Sequence, residues 1–358
     1  MGSFFKHNFA YLAILLLFAV LAYQKTSNDW DLLAYTACVF HLESNDSNRI
    51  HAATYHMAEQ YFSPNEFSEM ISKNEYRIRM YADVKSFFGE LHFYYIKPLY
   101  IGLIYSISKL NQSPLEAMKW INSFSYLGIG CILLLIINLL TNKIIPSFLV
   151  FTALISYNGL LDMVRELTPD VLSMFVLLAL SYGYLFSIKR KWVILFSILA
   201  ILIRPDNILF VSIVWLLTEY FGNKFNYRTV FVGSLFILIH IIIKYMTKGA
   251  DYEQTTLSIF TYPLDLESIR TLKSYLQEIA SNIDNLIPFF SLLILTIWTQ
   301  NDLKSKESLL LISILIALTI RFLFIPHLSE RFYIPYGYMA VIAILSNTEK
   351  IKKILEIK

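Results

Sequence analysis

Apolar runs recur along the whole chain and are separated by short polar clusters, and each run is too long for a buried strand. The runs cover residues 9–24, 92–109, 119–140, 146–161, 170–188, 191–204, 206–221, 229–246, 285–300, 308–325 and 332–347. Several fall below the roughly 20 residues that a full crossing of a bilayer needs, and short runs line a cavity or thin the membrane. The pattern predicts an all-α polytopic membrane protein with about ten or eleven transmembrane segments, one transmembrane domain over residues 1–358. The first run starts after Lys6 and His7 and is followed by Tyr23-Gln24-Lys25 rather than by a small-residue cleavage pattern. It reads as an uncleaved span with its N-terminus inside.

One long polar segment, residues 25–91, interrupts the pattern, with six basic residues against ten acidic ones. An acidic balance suits the outer face, so 25–91 is expected to be a large outer loop, with residues 247–284 as a second. Within the first loop Leu32, Tyr35, Val39 and Leu42 recur at helical spacing after Asp31, which predicts a short helix lying along the membrane surface. A second amphipathic stretch covers 265–280, after Pro263.

Orientation follows from the cations. Lys189-Arg190-Lys191, Lys224 with Arg228, Lys304 with Lys306, and Lys350, Lys352, Lys353 and Lys358 are expected to face the cytoplasm. Both termini inside requires an even number of crossings, so one segment before Lys189 does not cross. The expected exception is 146–161, which opens at Pro146 and runs into Ser156-Tyr157-Asn158-Gly159.

Composition narrows the functions. Hydrophobic residues make up 56% and charged residues 16%, against roughly 45–50% and 25% in soluble domains, so a soluble domain of this length is excluded. A formal charge of +3 leaves no polybasic surface for nucleic acid. Two cysteines, Cys38 in the polar loop and Cys131 in an apolar run, cannot build a disulfide framework or a thiolate zinc site.

Charged residues beside apolar runs are the candidates for chemistry, because each costs about 2.5–3.5 kcal/mol to insert and so is usually paired or functional. Lys97 opens a run, Arg204 sits at the tip of the hairpin between two runs, Arg331 begins the last run and Arg321 lies deeper. Cations gathered at one outer cavity suit a lipid-anchored phosphate, while each alone also fits snorkelling or a local ion pair. Asp31 is the candidate base, with helix capping as its ordinary role. Asp29-Trp30-Asp31 has the spacing of a metal-binding pair, but no metal or other cofactor is expected. Asp170 and Asp206 each follow a proline at the start of a run, where a carboxylate caps the helix. His51 and His56 are five apart and off a common helix face, and His240 within an apolar run either bonds a neighbouring helix or serves an acyl transfer. Most aromatic residues suit a bilayer-facing or interfacial belt; Tyr35, Tyr94, Tyr95 and Tyr333 could also stack on sugar rings, though nothing in the sequence singles them out.

Taken in order, these elements resemble the GT-C glycosyltransferases, multi-spanning enzymes that take sugars from polyprenyl phosphates on the outer or luminal face. Asp31 followed by Tyr35 resembles the catalytic element of that class, and Tyr95-Ile96-Lys97-Pro98 resembles the Lys-Pro that opens its second span. Thr168-Pro169-Asp170, Leu202-Ile203-Arg204-Pro205-Asp206 and Arg331-Phe332 with Pro335 resemble later turns of the class. Bacterial lipid A aminoarabinose transferases and protein mannosyltransferases are the nearest by pattern, although this chain ends soon after Arg331 with no further soluble domain. The resemblance implies inverting transfer of a monosaccharide from a polyprenyl-phosphate donor to a glycan, lipid or protein acceptor. Asp31 is then the base, while Lys97, Arg204 and Arg331 hold the phosphate and Asp170 and Tyr35 line the substrate site. The implied setting is a bacterial inner membrane, with the active site on the periplasmic side. A lipid-linked-sugar flippase and a glycan polymerase are the alternatives, and the first often shows a repeat symmetry that is not evident by eye here.

Overall fold

Polar residues at regular intervals decide how the segment after the first apolar run folds. In the computed structural model the first helix, α1 (Gly2–Gln24), is followed by α2 (Asp31–His41). Asp46, Ser63, Asn74 and Asp83 then each accept a backbone N–H from the first turn of the next helix. These caps define α3 (Ser47–Tyr61), α4 (Pro64–Ser72), α5 (Glu75–Ala82) and α6 (Val84–Glu90). Ser63 and Glu66 form a reciprocal capping box ahead of α4. The expected outer loop is thus a run of short helices. The structure describes residues 2–110, 113–140, 144–222, 225–247, 302–324 and 330–346, with positions 280, 293, 294 and 297. Among these residues every regular element is helical.

The chain divides into two compact units. The first comprises Met1–Gly130, Leu149–Phe175 and Leu202–Arg204; the second comprises Cys131–Phe148, Val176–Ile201 and Pro205–Lys358.

In the first unit α2 departs from the surface helix that its spacing predicts. Leu32, Leu33, Ala34, Tyr35, Thr36, Ala37, Cys38 and Val39 are all buried, so the helix has no wet face. The reason lies in the short helices after it, whose Ile50, Tyr55, Ala58, Met70, Met80 and Phe87 share one apolar cluster with α2. Cys38 is accordingly a core residue of a helix and not a loop residue, and burial pushes its thiol up. The predicted run 92–109 is also divided. α7 (His92–Tyr95) ends before Lys97, and Pro98, which lacks an N–H to donate, opens α8 (Pro98–Ser108). The 11 residues of α8 span about 16 Å, roughly half the hydrocarbon thickness.

α9 (Pro114–Leu140) is long and apolar enough over Pro114–Asn138 to cross a membrane, as is Tyr227–Met246. α10 (Ile144–Ile155) and α11 (Asn158–Arg165) meet at 44°, a third span if the bent pair is counted as one. This pair occupies the segment expected not to cross. Its two free helix ends are satisfied by α9. Tyr126 donates its hydroxyl to the Ile155 carbonyl at 2.8 Å, and the buried Asn122 amide, one turn earlier, donates to Val164 at 3.1 Å. Gly128 and Gly130 of α9 leave room for Phe175 and Leu15, where a Cβ has no space.

The remaining helices are α12 (Asp170–Leu185), α13 (Arg190–Ile203), a single 3-10 turn Pro205–Asn207, α14 (Ile208–Phe221), α15 (Tyr227–Met246), α16 (Lys306–Phe324) and α17 (Glu330–Ser346). In the second unit α14 packs on α15 and α16, and α16 packs on α17. Buried Glu219 gathers one end of it, accepting from Arg190 at 2.9 Å and Thr229 at 3.0 Å, while the Arg190 guanidinium lies 4.7 Å from the Trp215 ring. The expected second outer loop, 247–284, lies outside the described residues save Thr247 and Ala280.

Candidate functional site

Asp31 is the first residue of α2, and the cap position belongs to Trp30, which makes no side-chain cap bond. The carboxylate is engaged elsewhere. Tyr94 on α7 donates its hydroxyl to Oδ1 of Asp31 at 2.7 Å. Trp30 is buried between two carboxylates with different partners, since Asp29 lies 4.0 Å from Arg77 on α5. The Asp-x-Asp spacing therefore directs its two side chains to separate helices. Among the described residues no three His, Cys, Asp or Glu side chains are grouped to hold a metal ion.

One turn along α2, buried Tyr35 accepts a hydrogen bond from Nζ of Lys97 at 2.7 Å. The same ammonium lies 4.9 Å from the Tyr94 ring and 5.1 Å from the Tyr35 ring, a distance at which ring faces attract cations. Tyr94 and Tyr35 meet edge to face at 5.0 Å. Asp31, Tyr94, Lys97 and Tyr35 are thus one contiguous set, built from α2, α7 and the residue that precedes α8. Burial and then the Asp31 charge hold the Tyr94 phenol well above its ordinary value, so it keeps its proton and acts as a donor. Tyr76 faces the same group, and burial followed by the Glu90 and Asp31 charges raises its phenol too.

A second string of contacts runs from Tyr35 to the predicted turn at Asp170. Tyr100 packs edge to face on Tyr35 at 5.0 Å and donates its hydroxyl to the Leu167 carbonyl at 2.9 Å. Leu167 has φ 48°, a left-handed conformation that costs a residue with a Cβ about 1–2 kcal/mol. The turn aims Thr168 at Asp170, hydroxyl to Oδ2 at 2.8 Å, and Asp170 is ion-paired with Arg204. Asp170 is 3% exposed and Arg204 13%, so this pair is dry.

Arg331 belongs to the second unit, where Phe332 lies under two guanidinium groups, at 5.2 Å from Arg331 and 4.0 Å from Arg321. Arg321 also pairs with Asp206 at 3.2 Å. Sequence spacing puts Asp170 and Asp206 at helix starts, where each is the acid of the first turn, and each also forms an ion pair with an arginine distant in sequence. Among the described residues, buried Nδ1 of His240 has no hydrogen-bond partner.

The sequence reading brought together Asp31, Tyr35 and Lys97, which the first unit also gathers. It left Tyr94 among several tyrosines and did not single out Tyr76, Glu90 or Tyr100. A signal for two of them exists: Tyr94, Lys97 and Tyr100 are spaced by three, the spacing of one face. Comparison of the chain with protein-family models, curated proteins and solved structures finds no match in any of the three.

Proposed function

We propose that this chain is an inverting glycosyltransferase of the GT-C kind, a polytopic bundle of about ten or eleven crossings. It sits in a bacterial inner membrane with its active face periplasmic, and moves a monosaccharide from a polyprenyl phosphate to a glycan, lipid or protein hydroxyl. The observation that carries the reading is the set formed by Asp31, Tyr94, Lys97 and Tyr35, in which Tyr94 donates to the carboxylate and the ammonium lies beside the rings of Tyr94 and Tyr35.

Asp31 takes the proton of the acceptor hydroxyl as that oxygen attacks the anomeric carbon. The bond from the anomeric carbon to the phosphate oxygen breaks, and both its electrons leave with the polyprenyl phosphate. Lys97 meets the charge that builds on that leaving group, and Tyr35 fixes the ammonium for the task. Arg204 completes the phosphate contacts, with Asp170 orienting it. The scheme uses no metal or organic cofactor.

The test is turnover by the purified full chain in lipid nanodiscs, supplied with undecaprenyl phosphate carrying a radiolabelled hexose or pentose. Release of undecaprenyl phosphate, with the label passing to an added acceptor or to water, is the expected result. In sealed vesicles, label that changes leaflet with its phosphate bond intact would make the protein a transporter and overturn the proposal.

A further inference from the structure

α4 and α5 form a helical hairpin that is entered and left through extended residues. Phe62 and Ser63 before it have ψ 155° and 156°, and Asp83 after it has φ −124° and ψ 109°. Each of its helices fully buries a single side chain, Met70 in α4 and Met80 in α5, while Phe67, Ile71 and Tyr76 are partly covered. The helices around it are joined without it, since α3 packs directly on α6 and α2 packs on α3, α7 and α8. A short pair of helices with few buried apolar side chains opens at lower free energy than the core beside it.

The hairpin is tied to the linker between α1 and α2. Asn28 donates from Nδ2 to Oε2 of Glu69 in α4 at 3.1 Å, and Arg77 in α5 lies 4.0 Å from Asp29. Beside these ties Tyr76 packs edge to face on buried Trp30 at 5.2 Å. Arg77 also donates to the Glu69 carbonyl at 3.4 Å, which joins the two ties within the hairpin. The linker has an anchor of its own. Ser27 donates its N–H to the Arg165 carbonyl, at the end of α11, at 3.0 Å. Side-chain ties on one side and a backbone tie on the other let the hairpin lift while the linker stays.

We infer that α4–α5 is a lid, hinged at Ser63 and Asp83, that swings off the Asn28-Asp29-Trp30 linker to admit the acceptor at the start of α2 and closes through the ties of Asn28 to Glu69 and of Asp29 to Arg77. The inference deepens the glycosyl-transfer reading and takes from it that the molecule admitted is an acceptor. The chemistry of the ties suits a reversible motion. Glu69 is 52% exposed and is shared with Lys73 at 3.3 Å, and an exposed contact of this kind shifts an equilibrium by about fivefold or less. Two such ties hold the lid shut without locking it. Met70 and Met80, its fully buried apolar side chains, belong to the residue type that repacks most readily.

The experiment is hydrogen exchange read by mass spectrometry on the full chain in nanodiscs. The amides of α4 and α5 are expected to exchange together, at least about tenfold faster than those of α3 and α6. Asn28→Ala combined with Arg77→Gln is expected to speed α4 and α5 by about tenfold again and to leave α3 within about twofold of the parent. Exchange of α4 and α5 no faster than that of α3 and α6, or unchanged by the two substitutions, overturns the inference. If the double variant does not fold, the exchange pattern of the parent decides alone. A second measurement fastens the lid: in a Cys131→Ser chain, Asn28→Cys and Glu69→Cys are joined by a reducible bis-thiosulfonate linker, and turnover is read before and after reduction. A fall of at least about tenfold that reduction reverses is expected, and parental turnover with the linker in place overturns the inference. Fast exchange of α4 and α5 in a chain that transfers no sugar keeps the hinged motion and retires the glycosyl-transfer reading. Transfer by a chain whose α4 and α5 exchange no faster than α3 and α6 does the reverse.

Discussion

The Tyr100 hydroxyl holds the Leu167 carbonyl at 2.9 Å, and Leu167 is one of the two described non-glycine residues with positive φ. A buried donor from α8 thus fixes a turn with a strained backbone, two residues before the proline that precedes Asp170. Tyr100→Phe removes that bond and leaves a buried carbonyl unpaired. A loss of about 1–3 kcal/mol is expected, read as a lower midpoint of thermal unfolding in detergent. A midpoint equal to the parent's would mean that the turn holds itself.

The pair between Asp170 and Arg204 predicts a larger effect. Arg204→Gln strands a buried carboxylate, and breaking such a pair costs about 3–5 kcal/mol. Asp170→Asn added to Arg204→Gln should restore more than half of the loss, because the stranded charge is then gone. A double variant no more stable than the single one argues that the arginine is needed for something other than this partner.

Asp31→Asn is expected to abolish sugar transfer while unfolding near the parental temperature. The amide can still accept from Tyr94 but cannot take a proton. Asp29→Asn serves as the control, since Asp29 is directed towards Arg77. Full turnover in Asp31→Asn, or its loss in Asp29→Asn instead, moves the base to another residue.

Lys97→Gln should weaken binding of undecaprenyl phosphate about tenfold, the effect of losing one charge-assisted contact to a phosphate. Titration calorimetry in nanodiscs reads the change. An affinity equal to the parent's would remove the phosphate site.

Topology is tested with single cysteines at exposed positions, Asn48 in α3 and Lys304, after Cys131 has been replaced. A membrane-impermeant maleimide should reach Asn48→Cys in whole spheroplasts and Lys304→Cys only after permeabilisation. Labelling of both from the same side would invert or abolish the proposed outer-face site.

Periodicity made the helices legible, because apolar runs and their polar interruptions are local facts. It gave α9 and α15 nearly at their bounds. It misread α2, since Leu32, Tyr35 and Val39 at helical spacing describe one buried face and cannot reveal that Leu33, Ala37 and Cys38 are covered as well. That cover comes from α3, α7 and α8, whose contacts with α2 are tertiary. The run 92–109 misled for a similar reason: hydropathy passes smoothly over Lys97-Pro98, whereas the chain turns there. Asp31, Tyr35 and Lys97 could be found by spacing and motif. The partners of Asp170 and Asp206 could not, because Arg204 and Arg321 are far along the chain and capping is the ordinary expectation for an acid after a proline.

Synthesis from the N-terminus gives the Asn122 and Tyr126 contacts a direction in time. α9 is made before the chain that supplies the Ile155 and Val164 carbonyls, so two polar side chains must wait for acceptors still to be made. The bend between α10 and α11 is then settled on arrival, against donors already present. A chain that stopped between residues 140 and 155 would leave those donors without their acceptors, and a lesion at Asn122 would act on the folding of a segment more than 20 residues downstream.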